Sequence, residues 1–176
     1  MHVRFSSAVG LPVVEEGSAD PLAVIDDILI DPDSGKIEGF PVVIRRFLGS
    51  DRFILLPMDI LHWGMRVTVR SAHVLAPAED IVRLQALLED DRRVLGRPMV
   101  TQGGKTLGRC GDVQFDTAHF MIEWLFPRRW WRWGLPVPIS DVVEVRTDAI
   151  VVRNRAAKAK EKPEDAALIL GVMPEA

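Results

Sequence analysis

The chain has 176 residues, 48% hydrophobic and 27% charged, which suits one domain or two small ones with buried cores and excludes disorder over most of the length. A formal net charge of −3 excludes a generally basic nucleic-acid binder and leaves room only for a local basic patch. The single cysteine, Cys110, excludes an internal disulfide framework and fits a reducing compartment.

The opening run "MHVRFSSAVGLPVVEEGSADP" has no sustained apolar stretch and meets Glu15 and Glu16 early, so no secretory leader is expected. No run reaches the ~18 apolar residues of a membrane span. The expectation is a soluble, cytoplasmic protein.

Along the chain, short strand-like runs alternate with turns. "AVIDDILID" mixes β-branched and apolar residues and stops at Asp31. Pro32 to Gly35 then supply hairpin chemistry, because proline presets φ and glycine accepts positive φ. "FPVVIRRF" and "RFILLPMDIL" continue the pattern. At Pro77 the character changes. A proline followed by Glu79 and Asp80 reads as a helix start, and Ile81, Leu84 and Leu88 share one face. A short helix is expected over 78–92, laying that stripe on the neighbouring strands.

Past the connector the earlier motifs return in the same order. Gly10-Leu-Pro-Val-Val14 recurs as Gly96-Arg-Pro-Met-Val100, and Asp27-Ile-Leu-Ile-Asp31 as Asp112-Val-Gln-Phe-Asp116. Leu56-Pro57 with Asp59-Ile60 is echoed by Val137-Pro138 with Asp141-Val142. Val67-Thr-Val69 is echoed by Ile150-Val-Val152, with Asp148-Ala149 as the turn before it. The chain therefore reads as two copies of one all-β module. Residues 1–76 form the first, 77–93 the connector, 94–153 the second, and 154–176 a charged, alanine-rich tail. Within that tail the apolar residues 168–174 are expected to dock on the chain's own surface, a partner being the other possible occupant.

These motifs resemble the PRC-barrel family. The family pattern places Gly-x-Pro first, as at Gly10-Pro12 and Gly96-Pro98. A strand ending in Asp follows, as at Asp27 to Asp31 and, with Gly108, at Asp112 to Asp116. A hydrophobic-Pro pair before an Asp-hydrophobic pair comes last. The resemblance covers most of residues 5–153. It implies two tandem small antiparallel β-barrels joined by a short helix, in a stand-alone bacterial-type protein. The family includes the H subunit of photosynthetic reaction centres and RimM-type factors of ribosomal RNA maturation, and most members are adaptor or binding modules. Neither the membrane span of the first nor the separate N-terminal domain of the second is expected here.

Chemistry-bearing residues are sparse. Asp26, Asp27, Asp31 and Asp33 form an acidic cluster, but an EF-hand counted from Asp31 puts Val42 where an acidic ligand is required. A polar turn is the expectation, with the repeated acids Asp27 and Asp112 bonding backbone groups. His2, His62, His73 and His119 show no metal-ligand spacing. "GGKT" at Gly103–Thr106 resembles part of a phosphate loop, yet Met99 stands where its first glycine is needed, so a hairpin turn is expected. Cys110 is expected to be a buried, inert thiol. No catalytic residues, metal or cofactor are assigned, and the protein is expected not to be an enzyme.

The exception is "FPRRWWRWG" at Phe126–Gly134. Four of the five tryptophans lie between Trp124 and Trp133, interleaved with arginines. Its counterpart in the first copy is "VIRRFLG", with Arg45, Arg46 and Phe47. Packing within the fold, with arginines stacked on the aromatics, is one reading. A protein-docking or self-association surface is another, since Trp and Arg dominate interface hot spots. RNA or lipid contact is the third. The expectation is a non-catalytic adaptor that docks a protein through Arg128, Arg129, Trp130, Trp131, Arg132 and Trp133, with Arg45, Arg46 and Phe47 in the first copy. An RNA-linked role in ribosome maturation is the alternative.

Overall fold

A computed structural model describes residues 1–45 and 49–154. Arg46, Phe47 and the tail residues 155–176, including the apolar stretch 168–174, lie outside the described residues. The fold is all-β. The strands of the first half are β1 (His2–Arg4), β2 (Pro12–Glu15), β3 (Pro21–Ile25), β4 (Leu29–Ile30), β5 (Ile37–Arg45), β6 (Ser50–Leu55), β7 (Ile60–Trp63) and β8 (Val67–Val69). Those of the second are β9 (Pro98–Thr101), β10 (Thr106–Asp116), β11 (Met121–Arg129), β12 (Arg132–Trp133), β13 (Val137–Pro138), β14 (Val142–Val145) and β15 (Ile150–Val152).

The two halves share one pairing plan. In the first, β2 pairs antiparallel with β3 and parallel with β8, β3 pairs β5, β5 pairs β6, and β7 pairs β8. In the second, β9 pairs antiparallel with β10 and parallel with β15, β10 pairs β11, β11 pairs β12 and β13, and β14 pairs β15. Even the matched registers agree, Val13 facing Val67 as Met99 faces Ile150. The repeat read in the motifs is thus a repeat of strand order. Each half carries one parallel pair within an otherwise antiparallel sheet.

The turns follow their chemistry. Asp31 accepts from the Asp33 amide and the Ser34 hydroxyl, and Gly35 takes φ +72°, closing the hairpin between β4 and β5. The Gly103-Gly-Lys-Thr106 stretch is likewise a hairpin: the Gly104 amide donates to the Thr101 carbonyl, and the Lys105 amide to the Thr101 hydroxyl. The Arg146 amide donates to the Ala149 carbonyl in the last turn.

One apolar core runs through both halves. At its centre Phe40 and Trp63 of the first half meet Phe115 and Phe120 of the second, with ring centroids 5.0–6.0 Å apart. Backbone bonds stitch the same seam, the Ile37 amide donating to the Phe120 carbonyl and the Ile122 amide to the Gly35 carbonyl. The fifth tryptophan, Trp63, outside the Trp/Arg stretch, is therefore the one that builds the core.

Two boundaries differ from the sequence reading. First, β1 does not join the first sheet: it pairs with β10 of the second, Arg4 opposite Gln114. The following helical turn α1 (Phe5–Ala8) packs on β10 as well, because Ser6 is bonded to Asp112 by backbone and side chain. Second, no continuous helix spans 78–92. The connector is two 3₁₀ turns, Ala78–Asp80 and Val82–Leu84, followed by the single α-helical turn α2 (Gln85–Leu88). Ile81 breaks the helical path at φ −100°, ψ 81°. The apolar stripe still does its work: Ile81 and Leu84 bury against Ile54, with Leu88 packed beside them.

Strand β10 shows how the second sheet bends. Cys110, Asp112, Val113 and Phe115 are buried, so the two-residue alternation slips by one after Asp112. Register shifts at Cys110/Asp112 and Gln114/Phe115 mark irregularities of the bulge type, which kink a strand. The kink lets β10 pair with β9 at one end and β1 at the other.

Candidate functional site

Strands β11 and β12 form a tight hairpin. Arg129 pairs with Arg132, leaving Trp130 and Trp131 as a two-residue tip. Trp130 has φ +55°, a left-handed conformation that turns normally give to glycine. The Arg128 Nε donates to the Trp130 carbonyl at 2.9 Å and holds the turn. At the base the Gly134 amide donates to the Pro127 carbonyl. Gly108 of β10, at φ +130°, lies so close that an added Cβ would stand 2.7 Å from the Arg128 carbonyl oxygen.

The tip points outward. Trp130 is 87% exposed, Trp131 76% and Trp133 52%. The Trp130 and Trp131 rings stand 6.2 Å apart, edge to face. With Leu107, Arg129, Arg132 and Gly134 they line a groove of about 450 Å³. Among the described residues, none of Arg128, Arg129 and Arg132 forms an ion pair. Three fixed positive charges thus stand beside open indole faces.

The base of the hairpin is built differently. Arg4 of β1 lies 3.6 Å above the Phe126 ring and 5.3 Å from the Trp133 ring. Its Nε is 3.0 Å from Asp112, yet it is not aligned for a hydrogen bond, so the contact is ionic. Trp133 also covers Gly111, where an added Cβ would meet the indole at 3.0 Å. Trp133 is therefore half framework and half surface, while Trp130 and Trp131 are surface alone. The sequence reading missed Arg4 and Leu107, and took Phe126 only as the start of the Trp/Arg stretch. Only Asp112 carried a signal, as a repeated acid.

Of the first-copy residues, Arg45 closes β5 opposite Ser50 at the topologically equivalent hairpin. Arg46 and Phe47, between Arg45 and Gly49, lie outside the described residues.

The remaining candidates sit in structural roles. Asp27 accepts from the Ile28 amide, and Asp112 from the Val113 amide, the same bond at matched positions. Asp33 joins Asp90 in holding Arg92, whose hydrogen bonds keep both carboxyls below the usual range. His2 bonds Glu123, and His119 bonds Asp116. Backbone bonds from Ala118 and the His119 side chain hold the Asp116 carboxyl far below the usual range. Burial first, and then the neighbouring Asp112 charge, push the Cys110 thiol up to about 12. Among the described residues no group of three or more His, Cys, Asp or Glu is placed to hold a metal ion. Nor, among them, is any helix long and apolar enough to cross a membrane.

Comparison with known proteins gives one family. The model of the PRC-barrel domain matches residues 1–80. No curated protein matches the chain.

Proposed function

From the premise that residues 1–80 carry a PRC-barrel domain, we propose that the chain is a non-catalytic docking module whose contact surface is the β11–β12 hairpin. One observation carries this reading. Two adjacent tryptophans stand at the tip, 87% and 76% exposed, where neither contributes to the core. Large exposed aromatics beside arginine match the composition of protein-interface anchors. Trp130 and Trp131 would fill apolar pockets on a protein partner. Arg128, Arg129 and Arg132 would orient it through its acidic groups.

The test is capture of partners by the purified chain and by the Trp130→Ala/Trp131→Ala variant. Loss of capture with an unchanged melting transition supports the reading. Anchor residues of this kind are worth about 2 kcal/mol or more each, roughly thirtyfold in affinity. Sedimentation of the two proteins shows whether the partner is a second copy. The unpaired arginines interleaved with indoles also favour a second reading, single-stranded RNA held by stacking. RNA binding that falls steeply with salt would select it over a protein partner.

A further inference from the structure

Each half packs against the segment that precedes the other's first glycine. The Gly10 amide donates to the Ile25 carbonyl and the Leu11 amide to that of Ala8. At the matched positions the Gly96 amide donates to Cys110 and the Arg97 amide to Val94. Ala8 and Val94 are both buried. Counting back from the two glycines pairs Ser6 with Arg92 and Arg4 with Asp90. The segment before Gly10 meets Asp112 in the second half, and the segment before Gly96 lies beside Asp27 in the first.

The chemistry of the two contacts differs. Asp112 takes the Ser6 amide and hydroxyl and stands 3.0 Å from Arg4 Nε. Arg92 serves other acids: its guanidinium donates to Asp33 and Asp90, and its amide to Asp90. The counterpart of the Arg4 cation is itself an acid, Asp90. Among the described residues Asp27 accepts only from the Ile28 amide, through one carboxylate oxygen.

Between Asp27 and the connector a cavity of about 430 Å³ opens instead. Ile28, Phe53, Ile54, Leu87, Leu88 and Val94 give it apolar walls. Small-molecule sites span roughly 300–1,000 Å³ and combine such walls with a few polar groups. The charges on the walls differ in what they leave over. Arg92 and Asp90 hold each other. Arg52 reaches Asp26 at 3.6 Å, from a side chain 79% exposed. Arg93 is exposed, where water screens its charge. Asp27 is partly buried, and its second oxygen has no donor among the described residues. We propose that this cavity binds a small primary amine with an apolar body, the ammonium on the Asp27 carboxylate and the chain among Phe53, Leu87 and Leu88. The ammonium supplies what Ser6 and Arg4 give Asp112, donors and positive charge together. The site is separate from the hairpin tip and does not rest on the docking reading.

Calorimetric titration of the full chain with octylamine, octanol and octanoate tests the proposal. Octylamine should saturate one site per chain and bind at least about tenfold tighter than either of the others. Asp27→Asn keeps an acceptor for the Ile28 amide; it should weaken octylamine at least about tenfold without moving the melting transition. Leu88→Trp, which fills the cavity, should weaken it by a similar factor. Trp130→Ala/Trp131→Ala should bind octylamine as the unaltered chain does, a necessary comparison because exposed indole faces also attract ammonium groups. Absence of saturable binding by the unaltered chain overturns the proposal. So does octanol or octanoate binding as tightly as octylamine, or an affinity that follows the two tryptophans and not Asp27.

Discussion

Asp27 and Asp112 occupy one position of the repeat, and the structure assigns them unequal work. Both accept from the following amide, Ile28 and Val113 respectively. Asp112 also accepts from the Ser6 amide at 3.1 Å and the Ser6 hydroxyl at 2.6 Å, and lies 3.0 Å from Arg4 Nε. It is buried, whereas Asp27 is partly open. Asp27→Ala removes one neutral donor's partner and should cost about 1 kcal/mol. Asp112→Ala strands two amides and a hydroxyl and leaves Arg4 without its counter-ion. Because Arg4 is 38% exposed, the loss should fall below that of a fully buried ion pair, at about 2–3 kcal/mol. Urea unfolding followed by circular dichroism measures both, with unchanged m-values as the check on the comparison. Because α1 is held through Ser6, Ser6→Ala and Asp112→Ala should be coupled by at least about 0.5 kcal/mol in a double-mutant cycle. Equal losses for the two aspartates, or no coupling to Ser6, would refute the assignment of Asp112 as the anchor of the N-terminal strand.

Three further outcomes follow from the packing and the seam. Trp63→Ala opens the aromatic cluster shared by both halves, so it should cost about 3–5 kcal/mol and leave a single, lower unfolding transition in calorimetry, not two. Gly108→Ala forces a side chain into φ +130° and against the Arg128 carbonyl; it should destabilise by more than about 1 kcal/mol in urea unfolding. The Cys110 thiol holds its proton in the folded state up to about 12, against 9.0 for the free group. Its contribution is therefore complete below about pH 9 and is lost as pH rises towards 12, by at most about 1.4 kcal/mol per pH unit. Urea melts of Cys110→Ala over that range should show a flatter decline.

The legible part of the fold was its order. Short motifs recur because strand ends, turns and closing pairs impose the same residue types twice. Gly10 and Gly96, at φ +85° and +77°, are one requirement met in two places. Contacts between the halves left no such trace. The placement of β1 depends on Arg4 finding the Phe126 face and Asp112, residues more than 100 positions away, and nothing local marks it. The connector misled for the opposite reason. Its helical spacing is real, but a helix carries Ile81 and Leu84 along a straight stripe. Burial against Ile54 and Gly39 instead follows the narrower, more extended 3₁₀ path. At the hairpin, composition showed the aromatics but not their division. Trp133 packs on Gly111 near Arg4, and only Trp130 and Trp131 stand free of the framework.

That division sharpens what the second copy adds. In the first copy Arg45 pairs with Ser50, and Gly49 takes φ +101°. In the second the loop is shorter, and the positive φ falls on Trp130. A bulky residue in that region costs about 1–3 kcal/mol, and at 87% exposure Trp130 recovers little of it by burial. Trp130→Gly would relieve the strain and lose about 0.5–1 kcal/mol to the greater freedom of the unfolded chain. The net result should be stability unchanged or raised by up to about 2.5 kcal/mol. Partner capture should fall with the same substitution, if the strained indole is kept for contact. Thermal melts and capture measured on one preparation check both halves of this claim. A variant destabilised by more than 1 kcal/mol would show instead that the Trp130 ring serves the fold, and the docking surface would then shrink to Trp131 and its arginines.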